Sequence, residues 1–532
     1  MFVDIRFCEA WQEPFFDKPA NEPNVANWEM FQLAYESATH QAVPSFNGLL
    51  SPRHLPFMKF HNYQLEAARR VVEDMNGQAI LADEVGLGKT IEAGLILKEY
   101  LIRGLVKKVL ILTPASLVSQ WTQELYQNFQ IPAVAQKKAY SWEQADVLVA
   151  SLDTAKRSPN REIVLDQSYD LVIIDEAHRL KNAQTKNYAF VQELSKSYCL
   201  LLTATPVQNK IEELFYLISI LKPGHLGHIS DFKNLYKDQE QRKQLQGLIR
   251  QVMIRNRRAE TDLDWTNRHV RNLKVSFSPA EQKLYDFIET LSQEANEVTG
   301  LMKTTLKREL TSSKEAFFLT MKEMPVTDEQ LRTAFSYLEE CQINSKAEKL
   351  LSLLKKPEEK VIIFTEYRAT QLYIQWFLKQ HGIVSVPFRG GFKRSKKEWM
   401  QRLFETRIPV MVATQAGGEG LNLQFCHRIV NFDLPWNPMR VEQRIGRVHR
   451  IGQTQDVEVV NMYVEGTIEE HIVSLLYSKI GMFETVIGKL DDILEKQPVH
   501  SVDQSFRLAM EQVQSFSKQV NQRSEGGKRY EA

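Results

Sequence analysis

The chain has 532 residues, 43% hydrophobic and 25% charged, enough to bury globular cores and more than one domain usually holds. Its 67 lysines and arginines nearly balance 66 aspartates and glutamates, so it is no general polycation, and any surface for nucleic acid must be local. Cysteines at 8, 199, 341 and 426 lack disulfide or metal-ligand spacing, no apolar run is long enough to cross a bilayer, and Asp4, Arg6 and Glu9 stand where a secretory signal would be basic then apolar; the cytoplasm is the expected compartment, with no membrane partner.

Residues 1–59 are rich in proline, asparagine and aromatics without a clear period and read as an extension lying against the main body. From Phe60 onward, short apolar runs alternate with helical patterns, the signature of a parallel sheet covered by helices. The runs Ala79–Ala82, Val109–Leu112, Val147–Val149, Leu171–Ile174 and Cys199–Leu202 define a first α/β lobe over 60–224. Residues 225–345, rich in Lys, Glu, Gln and Leu with few β-branched runs, are expected to form helices inserted between two sheets. A second series, Val361–Phe364, Val384–Val386, Val410–Val412, Ile429–Val430 and Val457–Val460, defines a second lobe over 346–495. The tail, 496–532, is polar and expected to fray at Ser524–Arg529. The fold class is therefore α/β, with two parallel-sheet lobes and an inserted helical region.

The segment Asp83-Glu84-Val85-Gly86-Leu87-Gly88-Lys89-Thr90 lies between an apolar strand and a helical pattern, the context that makes a phosphate loop credible. Gly86 and Gly88 allow close backbone approach to phosphates, Lys89 can reach the β and γ phosphates of ATP, and Thr90 offers a hydroxyl to Mg2+. Asp83 stands where the generic pattern has glycine, and an isolated match also fits an ordinary strand-to-helix turn. Asp175-Glu176-Ala177-His178 follows an apolar strand, so its carboxylates emerge at the carboxyl edge of the sheet, where nucleotides bind in such folds. Asp175 can hold magnesium through water and Glu176 can orient or deprotonate the attacking water. Thr203 and Thr205 bring hydroxyls to the same edge, and Gln64 is placed to read the adenine edge; a surface glutamine at a helix start is the alternative.

In the second lobe, Gln443-Arg444-Ile445-Gly446-Arg447-Val448-His449-Arg450 puts Arg447 and Arg450 three residues apart, on one face if the segment is helical, able to reach ATP held by the opposite lobe; a solvated basic helix fits equally. The glycine-rich run Ala413–Leu423 allows backbone approach to a phosphate chain at Gly420, with Thr414 and Gln415 as polar side chains. Arg389, Lys393 and Arg394 form a candidate nucleic-acid backbone patch, as does the basic run Arg250–Arg258; solvated faces are the alternative for both.

The order of these motifs over about residues 60–480 resembles the Swi/Snf-type branch of helicase superfamily two. The resemblance also rests on Arg179-Leu180-Lys181-Asn182 after the acidic motif, on Thr203-Ala204-Thr205-Pro206-Val207-Gln208-Asn209, and on Pro435-Trp436-Asn437-Pro438 leading to His449-Arg450-Ile451-Gly452-Gln453. It implies two RecA-like lobes with ATP and Mg2+ between them, His178, Thr203, Thr205 and Gln443 as coupling residues, and translocation on double-stranded DNA without strand separation. Leu81-Ala82-Asp83-Glu84-Val85-Gly86, followed by Ile91-Glu92-Ala93-Gly94, resembles the bacterial members, some of which act on stalled RNA polymerase. That makes RNA polymerase, or another DNA-bound protein, a candidate partner and adds the nucleoid to the expected locations.

Overall fold

The structure is a computed structural model, and it describes residues 28–41, 48–207, 211–232, 241–291, 300–324, 326–354, 359–414 and 423–473. Gln208, Asn209, Gln415 and Gly420 lie outside the described residues, as does the polar tail. The helix Trp28–Gln41 belongs to a compact unit separate from the one that begins at Leu50. It forms in a stretch where the sequence shows no clear period; Trp28, Phe31 and Tyr35 recur at helical spacing and their exposed rings stack at 5.5 and 6.3 Å.

The main body contains two all-parallel sheets. The first is built from β1 (Gln78–Leu81), β2 (Val109–Thr113), β3 (Val134–Ala135), β4 (Val147–Ser151), β5 (Ser168–Asp175), β6 (Ser195–Leu202) and β7 (Met253–Ile254), in the order β3-β4-β2-β5-β6-β1-β7. Every residue of β2 and β4 is buried, as a sheet covered on both faces requires, which is why these strands read as continuous apolar runs.

The second sheet comprises β8 (Arg268–Val275), β9 (Val361–Thr365), β10 (Ser385–Phe388), β11 (Val410–Thr414), β12 (Arg428–Asn431) and β13 (Val457–Val464), in the order β10-β11-β9-β12-β13-β8. Its two faces separate along β9. Ile362 and Phe364 pack with Ile445 and Val448, whereas Val361 and Ile363 pack with Leu350, Ile374 and Leu378. These are the two RecA-like lobes that the motif order implies.

Two strands fall inside the stretch expected to be helical. β7 is only two residues long. β8 carries Arg268, His269, Arg271 and Lys274 because it is an edge strand, where charged side chains meet water and discourage further strand pairing, so no apolar run marks it. The chain therefore crosses from the first sheet to the second between Ile254 and Arg268, ahead of the main helical block.

That block consists of helices Pro279–Thr290, Gly300–Ser312, Lys314–Glu323, Asp328–Glu340 and Ser345–Leu353, inserted between β8 and β9. Ser278 with Glu281, and Thr327 with Gln330, form reciprocal capping boxes that fix two helix starts. Leu284, Ile288, Leu306, Phe317 and Met321 form the block's own core. The buried Lys346 ammonium anchors it to the second sheet, donating to Glu469 Oε1 at 2.6 Å and Oε2 at 2.8 Å and lying 3.6 Å from Asp433 Oδ1. Burial pushes the Glu469 carboxyl up to about 7. Among the described residues no helix is long and apolar enough to cross a membrane.

Candidate functional site: an interlobe ATP cleft

The carboxyl end of β1 runs into Asp83–Gly88, and Lys89 opens the helix Lys89–Ile102, with Thr90 half-buried in its first turn. Gly86 and Gly88 adopt φ of +96° and +89°, a region costly for any residue with a Cβ. Space reinforces the requirement: a Cβ on Gly86 would lie 3.2 Å from both Arg258 Nη2 and the His449 carbonyl, and 3.3 Å from Arg450 Cβ. Lys89 Nζ donates to the loop's own carbonyls, Asp83 O at 2.6 Å and Glu84 O at 3.2 Å. Burial pulls its pKa down, opposed by the charges of Asp83, Glu176, Glu92 and Asp175.

Asp83, fully buried, explains the missing glycine. Its Oδ1 accepts from Asn256 N at 2.8 Å and Nδ2 at 3.1 Å, and its Oδ2 from Nδ2 at 3.0 Å, so the side chain ties the loop to the segment leaving β7. Beneath it the wholly buried Glu92 carboxyl is held well above its ordinary range by burial and by the Asp83 charge. Glu84 Oε2 accepts from Arg258 N at 3.0 Å. The Leu87 carbonyl accepts from Tyr63 Oη at 2.6 Å and Gln64 Nε2 at 3.1 Å. Gln64, expected to read adenine, is 3% exposed and buttresses the loop, and its Oε1 accepts from His61 N to cap the helix Asn62–Glu73.

β5 delivers the acidic pair. Asp175 Oδ2 accepts from Trp121 Nε1 at 2.9 Å and Oδ1 from Glu176 N at 2.8 Å; burial and the neighbouring Glu176 raise its pKa to about 6. Burial also opposes ionisation of Glu176, but His178, Arg447 and Lys89 outweigh it and hold that carboxyl below its ordinary value. His178 Nδ1 lies 3.1 Å from Glu176 Oε2. Glu176 has φ +53°, an unusual conformation for a non-glycine residue, at the sharp bend after the strand. Thr203 N bonds to Leu81 O at 3.0 Å and Thr205 N to Thr203 Oγ1 at 3.1 Å, so both buried threonines brace the end of β1.

The second lobe faces this edge with the helix Pro438–Ile445, which ends there, so Arg447 and Arg450 stand on the turn after it and not on a shared helix face. Gln443 Nε2 approaches Glu176 Oε1 at 3.5 Å, and Arg447, Gln443 and Asn437 line a cavity of about 290 Å³ opposite Glu176 and His178. Arg450 faces Glu124 of the first lobe's helix Val118–Phe129, whose charge opposes the effect of burial on the guanidinium. The structure thus gathers Lys89, Asp175, Glu176, His178, Gln443 and Arg447 at one cleft. Arg389 and Lys393 lie elsewhere, after the edge strand β10, where Arg389 and Lys396 both stand over the Phe392 ring, at 4.9 and 4.5 Å. Arg394 opens the helix Arg394–Thr406, and Thr414, 9% exposed, ends β11.

The basic run Arg250–Arg258 departs from expectation. Arg258 turns into the cleft, where Glu84, Val85 and His449 take its donors, so this part of the run is no solvated face. Sequence reasoning also missed Asn256, Trp121, Glu92 and Arg444. Arg444, 2% exposed, donates to Asn431 Oδ1 at 3.1 Å and Asp433 O at 2.7 Å and pairs with Glu366, which fixes the helix that carries Gln443. The one available signal for Arg258 was a cluster of arginines directly after the apolar Val252-Met253-Ile254.

Two RecA-like sheets, with a phosphate loop and an Asp-Glu-Ala-His motif on one and an arginine-bearing turn on the other, define the class of helicase-like ATPases. Residues 63–330 match the SNF2-related domain and residues 345–452 the helicase conserved C-terminal domain. A Bacillus subtilis (strain 168) relative, described as the uncharacterized ATP-dependent helicase YqhH, is 56% identical over 518 residues, covering 95% of this chain and 93% of the relative. The RNA polymerase-associated protein RapA of Proteus mirabilis (strain HI4320) is 28% identical over 479 residues, which cover 79% of this chain; the match spans about half, 49%, of RapA. The Sulfolobus solfataricus SWI2/SNF2 ATPase core in complex with dsDNA aligns with 83% of this chain and 95% of its own at 22% identity and a TM-score of 0.39. The chain belongs to the SNF2-related family of ATP-dependent helicases.

Proposed function

We propose that this chain hydrolyses ATP to move along double-stranded DNA and to remodel or displace proteins bound there, without separating the strands. The observation that carries the hydrolytic part is the placement of Glu176, which belongs to the first lobe yet meets Gln443 and shares a cavity with Arg447 of the second. Glu176, whose carboxyl His178, Arg447 and Lys89 hold below its ordinary value, is the group suited to orient and deprotonate water, with His178 Nδ1 3.1 Å from its other oxygen.

Phosphate oxygens would replace the carbonyls of Asp83 and Glu84 as partners of Lys89, and Arg447 would stabilise charge on the transferred phosphoryl group. Thr90 and Asp175 offer hard oxygen donors, few enough to leave coordination positions for phosphates and water, which fits magnesium; that ion supplies charge neutralisation at the β and γ phosphates. The duplex track rests on the family resemblance. Because backbone contacts would dominate, movement should be insensitive to sequence and weakened by salt.

The test is ATP turnover with duplex DNA, single-stranded DNA and RNA, with Lys89→Ala as control, alongside a strand-displacement assay. Stimulation by duplex without displacement is expected. Equal turnover with and without every nucleic acid would overturn the motor reading. A second reading, remodelling of RNA polymerase, is favoured by the similarity to RapA. It predicts that Lys89→Ala protein retains polymerase through purification, and absence of polymerase in every nucleotide state counts against it.

A further inference from the structure

The crossover between the sheets, residues 255–267, touches the reactive elements of both lobes. At its start Asn256 binds Asp83 and the Arg258 amide binds Glu84. At its end Asn267 N donates to Asp456 Oδ1 at 2.8 Å, and beyond it Arg268 forms a two-pronged pair with Glu442 at 2.7 and 2.9 Å. Between them the Arg258 guanidinium, its side chain 12% exposed, donates through Nη2 to Val85 O at 2.5 Å and to His449 O at 3.0 Å. Its Nη1 lies 2.8 Å from His449 Nδ1. The Trp265 ring lies 4.9 Å from the guanidinium carbon and stands edge-on to His449 at 5.9 Å.

The protons can be assigned. His449 Nε2 is 2.9 Å from the Thr266 carbonyl, which can only accept, so Nε2 carries the ring proton. Nδ1 is then bare and accepts from Arg258. The arrangement needs a neutral imidazole, and burial and the adjacent Arg258 charge both favour that form.

His449 lies between Arg447 and Arg450 in the chain, so whatever fixes it fixes the backbone from which both guanidinium groups extend. The same side chain of Arg258 fixes Val85, in the middle of the phosphate loop. We propose that Arg258 is a positioning residue for hydrolysis: it locks the turn 446–450 onto the phosphate loop and so sets the register of Arg447 and Arg450 with the reacting phosphate. This deepens the reading of the cleft as an ATPase site and rests on it. A lysine cannot do the same work, because three acceptors in fixed directions and an aromatic face require a planar fork.

The test uses the full chain with Arg258→Ala, Arg258→Lys, His449→Ala and the double variant Arg258→Ala/His449→Ala. Turnover and KM are measured with duplex DNA, affinity with a fluorescent ATP analogue, and lobe closure by fluorescence transfer between labels at the exposed Lys138 and Gln380. Both Arg258 variants should lose about 10–100-fold in kcat while the analogue's Kd stays within about threefold, since alignment and not binding is removed. Transfer should fall equally in Arg258→Ala and His449→Ala, and the double variant should be no worse than either, the non-additivity of a shared contact. Unchanged kcat in Arg258→Ala, unchanged transfer, or additive losses would each overturn the proposal. If the parent protein hydrolyses no ATP with any nucleic acid, the function reading fails, while the transfer measurements still decide whether the tie exists.

Discussion

Replacing Asp83 by glycine would restore the generic phosphate-loop residue, and it should damage this protein. Asp83 accepts from both the backbone and side-chain nitrogens of Asn256 in a fully buried setting. Two donors to a charged acceptor at about 1.5–3 kcal/mol each give a loss of about 3–6 kcal/mol. Glycine adds flexibility at the loop entry, a further cost of about 0.5–1 kcal/mol. The pH profile should change as well. Glu92 keeps its proton in the folded protein where the unfolded chain has lost it, so its contribution to stability is full at acid pH and disappears as pH rises toward its elevated folded value. Without the Asp83 charge that elevation shrinks, and stability falls less steeply on the alkaline side. Thermal unfolding across pH, with KM for ATP, checks both effects; KM should rise about tenfold as the loop loosens. An Asp83→Gly protein that unfolds at the parent temperature with parent KM would refute the reasoning, and Asp83→Asn should fall between the two.

Glu176→Gln should lower ATP turnover by at least about 100-fold while nucleotide binding persists, measured by single-turnover hydrolysis and equilibrium binding. A Cβ on Gly446 would lie 2.3 Å from Val85 Cγ1, so Gly446→Ala should hold the lobes apart and slow hydrolysis, and the double variant Gly446→Ala/Val85→Ala should recover it. Lys346→Met strands buried Glu469 and Asp433 and should cost about 3–5 kcal/mol in unfolding experiments. The loss should be smaller at acid pH, because Glu469, already raised to about 7, then takes a proton and no longer buries a charge. Adding Glu469→Gln should restore part of the stability at neutral pH.

Buried parallel strands were legible because burial on both faces forces uninterrupted apolar runs, and the acidic motif was legible because it follows such a run directly. β8 was not, since an edge strand satisfied by β13 on one side needs no apolar face and its Arg268, His269, Arg271 and Lys274 resemble a helix surface. The arginines of the cleft show the same limit more sharply. A guanidinium in a sequence carries no mark of whether it meets water, as Lys393 does, or three acceptors from two lobes, as Arg258 does. Gln64's place was legible only in part: its amide serves the helix cap and the Leu87 carbonyl at once, a tie to the phosphate loop that the sequence does not mark. Asp83 looked like an imperfection in a pattern until its partner, Asn256, was found far along the chain.

The helical block leaves the second sheet at β8, returns at β9, and is bolted to that sheet through Lys346, Glu469 and Asp433. Any hinging of the cleft would therefore carry the block with the second lobe, and its distal helices would sweep an arc that grows with their distance from the pivot. Lengthening or shortening those helices would regear the machine while leaving its chemistry untouched.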